Sequence, residues 1–456
     1  MKRSIFLMLV ELTGLWMLLA FVLPASASWK EQVLYSFQGG SDGAVPAGGV
    51  VFDKQGNLYG ATTYGNQYGE LGVVYELSPP AKKGGPWTES LIYSFLGKTG
   101  YNDGMNPEGG LIIDSSGNLY GTTAYGGAGG CILLGVLYGC GTVYELSAPQ
   151  HKGDPWTEII LYSFQSGSDG YFPWGNLTFD KAGNLYGATS FGGGNGNACN
   201  AYYGGNCGTV FKLSPPKQNG GQWTEQVLHS FAGIANGQQT GDGANPNGGL
   251  ALDRKGAIYG TTYAGGNGAG PCGAAGCGTA FVLKPPARRG AAWTENMLHV
   301  FTNYSDGALP RTGLVFGSDG KLYGTTLGSI FSLEPRPKKS GSWKKVNLYG
   351  FCNQNGGGCE PEGNLIFDSS GNFYGTTYYG FGSEQRGSIF RLKAPRRNGG
   401  SWTIDYLHGF LNAPDGLFPA ANVVFDKRGN LYSTTQGGGT GDSCQNYCGT
   451  VFEVSP

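Results

Sequence analysis

Ten cysteines, four histidines and a thin scatter of acids are the residues of this 456-residue chain that could do chemistry. The cysteines form five near-neighbour pairs: Cys131 with Cys140, Cys199 with Cys207, Cys272 with Cys277, Cys352 with Cys359, and Cys444 with Cys448. Such spacings suit local disulfides. Zinc is the rival, but the spacings vary and no histidine pair accompanies them, so no metal is expected. His229, His299 and His408 stand where Tyr35, Tyr93 and Tyr162 stand elsewhere, and read as substitutions. No His accompanies a Ser or Cys nucleophile. Glu108, Glu360, Glu362 and Glu384 fit no pattern, which keeps a carboxylate pair for glycan cleavage open. Asp-Gly recurs at Asp42, Asp103, Asp169, Asp242, Asp306 and Asp415, each with Pro three residues after the Gly. A ring of carboxylates could hold calcium or sugar hydroxyls. Asp-Gly is also a turn former, and calcium needs several oxygens at one point, so the turn reading is preferred. No cofactor is expected.

The elements that must position these residues follow from an internal repeat. "WTExxLYSF" or a relative begins at Trp29, Trp87, Trp156, Trp223, Trp293, Trp343 and Trp402. Each is followed by a loop, an apolar run such as "GGLIID" (109–114), a segment such as "GNLYGTT" (117–123) and a "GTVYEL" type run. These are four short β-patterned segments per unit, bounded by Gly, Asp, Asn and Pro. The expected fold is all-β, a seven-bladed β-propeller with strands A ("GGLIID"), B ("NLYGTT"), C ("GTVYEL") and D ("WTExxLYSF") from the centre outward. The A-to-B joins "DKQGN", "DSSGN", "DKAGN" and "DKRGN" read as tight turns, so Asp53, Asp114, Asp180 and Asp426 are turn formers. Blade 7 has its A, B and C strands at 422–426, 430–435 and 449–454 and then no D strand. The spare D strand, "WKEQVLYSF" at 29–37, is expected to complete that blade and close the ring.

"GLIIDSSGNLYGTT", a Gly-rich stretch and "GTVYEL" resemble the repeat of the choice-of-anchor tandem repeat GloVer proteins, which are bacterial exported proteins. The likeness runs through nearly all of the chain after residue 27. It implies export, and because the chain ends inside its last blade it implies a free secreted or periplasmic protein. The first residues agree: Lys2 and Arg3, an apolar run, and Ala25-Ser26-Ala27 read as a signal peptide over 1–27, with 28–456 as one propeller domain. Glu11 within the apolar run makes an uncleaved anchor the alternative. No later stretch is apolar enough to span a bilayer.

In a propeller the D-to-A and B-to-C connections share one face. Here that face carries the long variable loops and four of the five cysteine pairs. Counting five residues from the strand-B Tyr gives Tyr64, Tyr125, Phe191 and Tyr379, and Tyr- and Gly-rich rims suit sugars. Packing between blades is the alternative. Blade 5 lacks a B-to-C loop, which makes a notch that Tyr378, Tyr379 and Phe381 would line. The opposite face carries Lys82, Lys83, Arg288, Arg289, Lys338, Lys339, Arg396 and Arg397, either a basic rim for an anionic envelope polymer or a solvated turn set.

A formal net charge of -1 excludes a general nucleic-acid binder. The expected function is a secreted, non-enzymatic binding propeller with a glycan ligand, working as a monomer. A polysaccharide lyase or glycoside hydrolase is the second reading, and a structural envelope component the third.

Overall fold

The computed structural model describes residues 29–65, 71–97, 103–133, 136–151, 153–194, 207–218, 220–233, 241–266, 272–288, 290–302, 305–336, 343–352, 358–380, 386–397, 399–411, 413–441, 444 and 448–456. Seven antiparallel sheets of four strands form the seven blades of a propeller, and the third blade adds a short strand, Tyr171–Pro173. Blade 2 shows the pattern: Ile112–Ile113, Leu119–Thr123, Thr142–Ser147 and Thr157–Ser163, ordered from inside to outside. Blade 7 takes Val424–Phe425, Leu431–Thr435 and Thr450–Ser455 from the end of the chain and Lys30–Ser36 from its beginning. Lys30 pairs with Ser455 and Ser36 with Thr450, so the ring is closed by strands from both ends as expected. Among the described residues no helix is long and apolar enough to cross a membrane.

Strand D carries a one-residue bulge in every blade. Opposite Val143 and Tyr144, for example, stand Tyr162 and Ile160, with Leu161 left over. The bulge turns Leu161 into the core and sends Tyr162 toward the loop after the strand, which is why "LY" supplies both an apolar and a polar contact. The Phe two residues on crosses to the next blade and meets its strand C edge-on: Phe37 to Tyr75 at 5.0 Å, Phe95 to Tyr144 at 5.2 Å, Phe231 to Phe281 at 5.2 Å. These buried pairs, one per junction, build the core between blades rather than at a centre.

The A-to-B aspartates are turn formers, as read. Asp53 Oδ1 accepts from the backbone N–H groups of Gln55, Gly56 and Asn57, and its Oδ2 from Asn57 and Tyr59. Four disulfides join the expected partners Cys131–Cys140, Cys272–Cys277, Cys352–Cys359 and Cys444–Cys448. Cys207 is also disulfide-bonded, while Cys199 lies outside the described residues.

Candidate functional site

The face that carries the D-to-A and B-to-C loops has a bowl of about 920 Å³ on the propeller axis. Its wall is set by an unusual backbone. The residue before each loop proline, from Val45 to Phe418, has a φ between 53° and 58° although none is glycine. That conformation costs roughly 1–3 kcal/mol per residue and needs outside support. The support is a pair of hydrogen bonds across the junction. Asn245 N–H donates to Cys207 O of the preceding blade at 2.8 Å, and Asn245 O accepts from Tyr263 N–H of its own blade at 3.0 Å. Val45 is held likewise between Cys448 and Thr63, at 2.9 and 3.0 Å. Except in blade 5, the following proline packs on the glycine that opens strand C of the preceding blade. A Cβ on Gly208 would lie 2.7 Å from Pro246 Cδ, which explains the invariant Gly of the "GTV" runs within this chain.

The residue after each loop proline then faces the axis. This position holds Ala47, Glu108, Trp174, Asn247, Arg311, Glu362 and Ala420, and all seven line the bowl. Beneath them the backbones converge so closely that a Cβ on Gly313 would stand 2.1 Å from Gly249 O, and one on Gly363 2.3 Å from Ala421 O. The floor is therefore main chain and amides. Asn176 Oδ1 accepts from Gly110 N–H at 2.7 Å and Asn364 Oδ1 from Gly313 N–H at 2.7 Å, which assigns the amide orientation and leaves their Nδ2 donors to the bowl.

Charge in the bowl is uneven. Arg311 makes ion pairs with Glu362 and, at 3.7 Å, with Glu360, and its guanidinium lies over the Tyr263 ring at 5.8 Å. Burial works against that cation, but the two glutamates outweigh it and hold it charged. Burial raises the Glu362 carboxyl, Arg311 opposes the rise, and Glu360 adds to it. Glu108 has no cation beside it among the described residues. Its Oε2 accepts from the Thr63 hydroxyl at 3.5 Å, and burial pushes its carboxyl up to about 7. Trp174 stands at the wall with 46% of its surface exposed.

Of the aromatics expected to bind a ligand, Tyr125 and Phe191 line the bowl. They flank Phe172, at 4.6 and 5.6 Å between ring centroids. Tyr378 and Tyr379 form a separate cluster with Phe418, at 5.1 and 5.6 Å, and Tyr378 donates to Gln436 Oε1 at 3.2 Å. Tyr64 is exposed and is not part of the bowl lining. Phe381 and Glu384, with much of the blade 5 notch, lie outside the described residues. Sequence reasoning missed Trp174, Arg311, Tyr263 and the amides. The available signal was a variable residue at a constant place, directly after the loop proline. On the opposite face Lys82, Lys83, Arg288, Arg396 and Arg397 are exposed as expected, whereas Arg289, Lys338 and Lys339 lie outside the described residues.

No curated protein matches the chain. Among solved structures, a periplasmic gluconolactonase of Pseudomonas aeruginosa is 12% identical with a TM-score of 0.47, over 90% of this chain and 98% of that one. A Trichoderma reesei carbohydrate-active enzyme of family AA12 is 11% identical with a TM-score of 0.44, over 94% and 96%. The PQQ domain of a Coprinopsis cinerea pyranose dehydrogenase is 11% identical with a TM-score of 0.41, over 94% and 96%. Values this low carry no argument about chemistry. The family model described as the Gloeobacter/Verrucomicrobia repeat matches residues 21–270, 134–339 and 272–456. The chain belongs to the Gloeobacter/Verrucomicrobia repeat family.

Proposed function

We propose that this protein is an exported carbohydrate-binding propeller that takes a saccharide unit into the axial bowl. One observation carries the reading: an indole 46% exposed, standing over a floor of amides and main chain. Left bare, such a ring keeps a large apolar surface in water, whereas a sugar stacks its apolar face on it and hydrogen-bonds to amides through its edge. The charges narrow the ligand. Among the described residues of the bowl Arg311 is the one cation, already paired with Glu360 and Glu362, and Glu108 adds a further acid, so neutral or amino sugars fit and uronate-rich polymers are repelled. Export rests on residues 1–27 as a signal peptide and on the disulfides, which persist in an oxidising compartment.

Trp174→Ala is expected to weaken polysaccharide binding at least tenfold with the melting temperature unchanged, since the ring is a surface group. Titration of neutral, amino and uronate polysaccharides against both proteins measures it, and equal affinities would remove the bowl as the site. A second reading is a glycan-cleaving enzyme. The observation that favours it is Glu108, a carboxyl group held near 7, where a general acid or base works best. Product release by the parent protein, lost in Glu108→Gln with binding retained, would replace the first reading by the second.

A further inference from the structure

Five of the seven D strands place a Glu two residues after their opening Trp near the Asp of the Asp-Gly loop at the junction with the neighbouring blade. The pairs are Glu89 with Asp42, Glu158 with Asp103, Glu225 with Asp169, Glu295 with Asp242 and Glu31 with Asp415. In all five the Glu Oε1 is buried and meets no hydrogen-bond donor, and Asp103 Oδ1 is in the same position. Asp103 is 4% exposed and its carboxyl group is in hydrogen-bonding contact with that of Glu158. Glu31, Asp415 and His408 bring an atom each within 4.8 Å of one another. Two facing carboxylates with buried, donorless oxygens repel and remain unsatisfied. One proton between them removes both faults.

We infer that five of the seven blade junctions are closed by a carboxyl–carboxylate pair sharing one proton, so that the ring tightens in acid and loosens as the medium turns alkaline.

The two exceptional junctions act as controls within the molecule. Between blades 4 and 5 the Glu position holds Lys345, which pairs with Asp306 at 3.3 Å, a junction satisfied without a shared proton. Between blades 5 and 6 both acids are gone together: the Glu position is Ile404 and the loop reads "GGGCEP" with no Asp. There the loop is closed by the Cys352–Cys359 disulfide, and Gly358 N–H is held by the Tyr406 hydroxyl at 2.9 Å. An unpaired acid is left at neither junction.

The other groups that face the pairs do not supply the missing donor to Oε1. Tyr35 and Tyr75 face Glu89, Tyr93 and Tyr144 face Glu158, Tyr162 faces Glu225, His229 faces Glu295 and His408 faces Glu31. Tyr93 donates to Glu158 Oε2 at 2.9 Å, and Tyr162 and the histidines bond to the aspartates. Burial, then the facing Asp, raises Glu158 to about 8 and Glu225 to about 7. For Glu295 and Glu31, at about 7, burial is again the largest cause, with the histidine opposing it. Glu89 is raised by burial and Asp42. A carboxyl group raised on folding stabilises fully below its unfolded value near 4.5, and that stability is lost as pH climbs through 7 to 8. Lys345–Asp306 runs the other way: Asp306, lowered to about 2, loses its contribution as pH falls below 4.

The pairs also reach the bowl. The same aspartates hold the start of each loop, with Gln165 N–H on Asp169 and Ala232 N–H on Asp242, both at 2.8 Å. Five residues after Asp103 comes Glu108 of the bowl wall. Ionising a pair thus releases a loop that shapes the bowl.

The test is a melting series of the mature full-length chain from pH 5 to 9 in EDTA. The melting temperature should fall by about 10 °C or more across that range, and calorimetry in buffers of different ionisation heat should count roughly five protons released on unfolding at pH 6. Each of the five junctions gives up to one of those, and Glu108 gives the remainder. Glu225→Gln and Glu295→Gln should each release about one proton fewer and flatten the fall. Lys345→Glu, which rebuilds the pair with Asp306, should add one. If a variant does not fold, the proton count of the parent chain decides. A melting temperature that is flat or rises toward pH 9, or an unchanged slope in the Gln variants, overturns the inference. So does a rise at pH 8 on adding calcium or zinc, because a cation would then occupy the gap.

Discussion

Deleting residues 29–37 is expected to abolish cooperative folding of the whole ring. Those residues supply the outer strand of blade 7, Lys30–Ser36, which covers the otherwise open edge of Thr450–Ser455. They also supply Phe37, fully buried against Tyr75 of blade 1, and Trp29, packed on Tyr374 of blade 6 at 6.3 Å. A buried Phe lost in this way costs roughly 3–5 kcal/mol by itself. Here it goes together with a full strand ladder and with contacts on both sides of the closing blade. Such a combined loss is of the order of the 5–15 kcal/mol that usually separates a folded domain from its unfolded chain. A truncated protein should show no single thermal transition, and a peptide of residues 29–37 added in trans should restore part of it. Identical melting of the proteins with and without residues 29–37 would mean that the ring closes by some other contact.

This closure was legible because it follows from counting. Seven Trp-headed segments and a last blade without one leave a single place for Trp29–Phe37. The faces were legible for the same reason, since strand order alone sends D-to-A and B-to-C loops to one side. The bowl was not. Trp174, Arg311 and Glu362 are separated by more than fifty residues each and share only their place after a proline, a place that reads as a turn. What brings them together is the left-handed backbone of the preceding residue, and nothing in "FP", "LP" or "EP" announces a positive φ before proline. Of the aromatics picked out by counting from the strand-B Tyr, Tyr125 and Phe191 stand in the bowl lining, whereas Tyr64 and Tyr379, 44% and 42% exposed, stand outside it. The Asp-Gly loops were read as turns. They are turns, but four of them, at Asp42, Asp103, Asp169 and Asp242, also set a carboxyl group against a glutamate some fifty residues further on, a partner visible only once blade neighbours are known.

Arg311 is where stability and the bowl are expected to part most visibly with pH. Replacing it by Ala leaves Glu362, with a side chain only 16% exposed, beside Glu360 and without its cation. Breaking a buried pair costs 3–5 kcal/mol, and because Arg311 itself is 38% exposed the expected loss at pH 8 is roughly 2–4 kcal/mol. Lysine should not rescue it. An ammonium cannot pair with both Glu360 and Glu362 while covering the Tyr263 ring as the planar guanidinium does. The direction with pH follows from the carboxyl group. Without the cation that opposes the effect of burial, the Glu362 carboxyl rises further above its unfolded value, so the variant keeps its stability in acid and loses it as pH rises through the folded value. The deficit of Arg311→Ala against the parent should therefore be small at pH 5 and full at pH 8. Adding Glu362→Gln to it should recover most of the loss at pH 8, since a neutral amide can remain without a counter-charge. Urea unfolding of the four proteins at both pH values measures these differences. A deficit that is the same at pH 5 and pH 8, or that the double variant does not reduce, would show that Arg311 acts through packing on Tyr263 and not through the buried carboxylates.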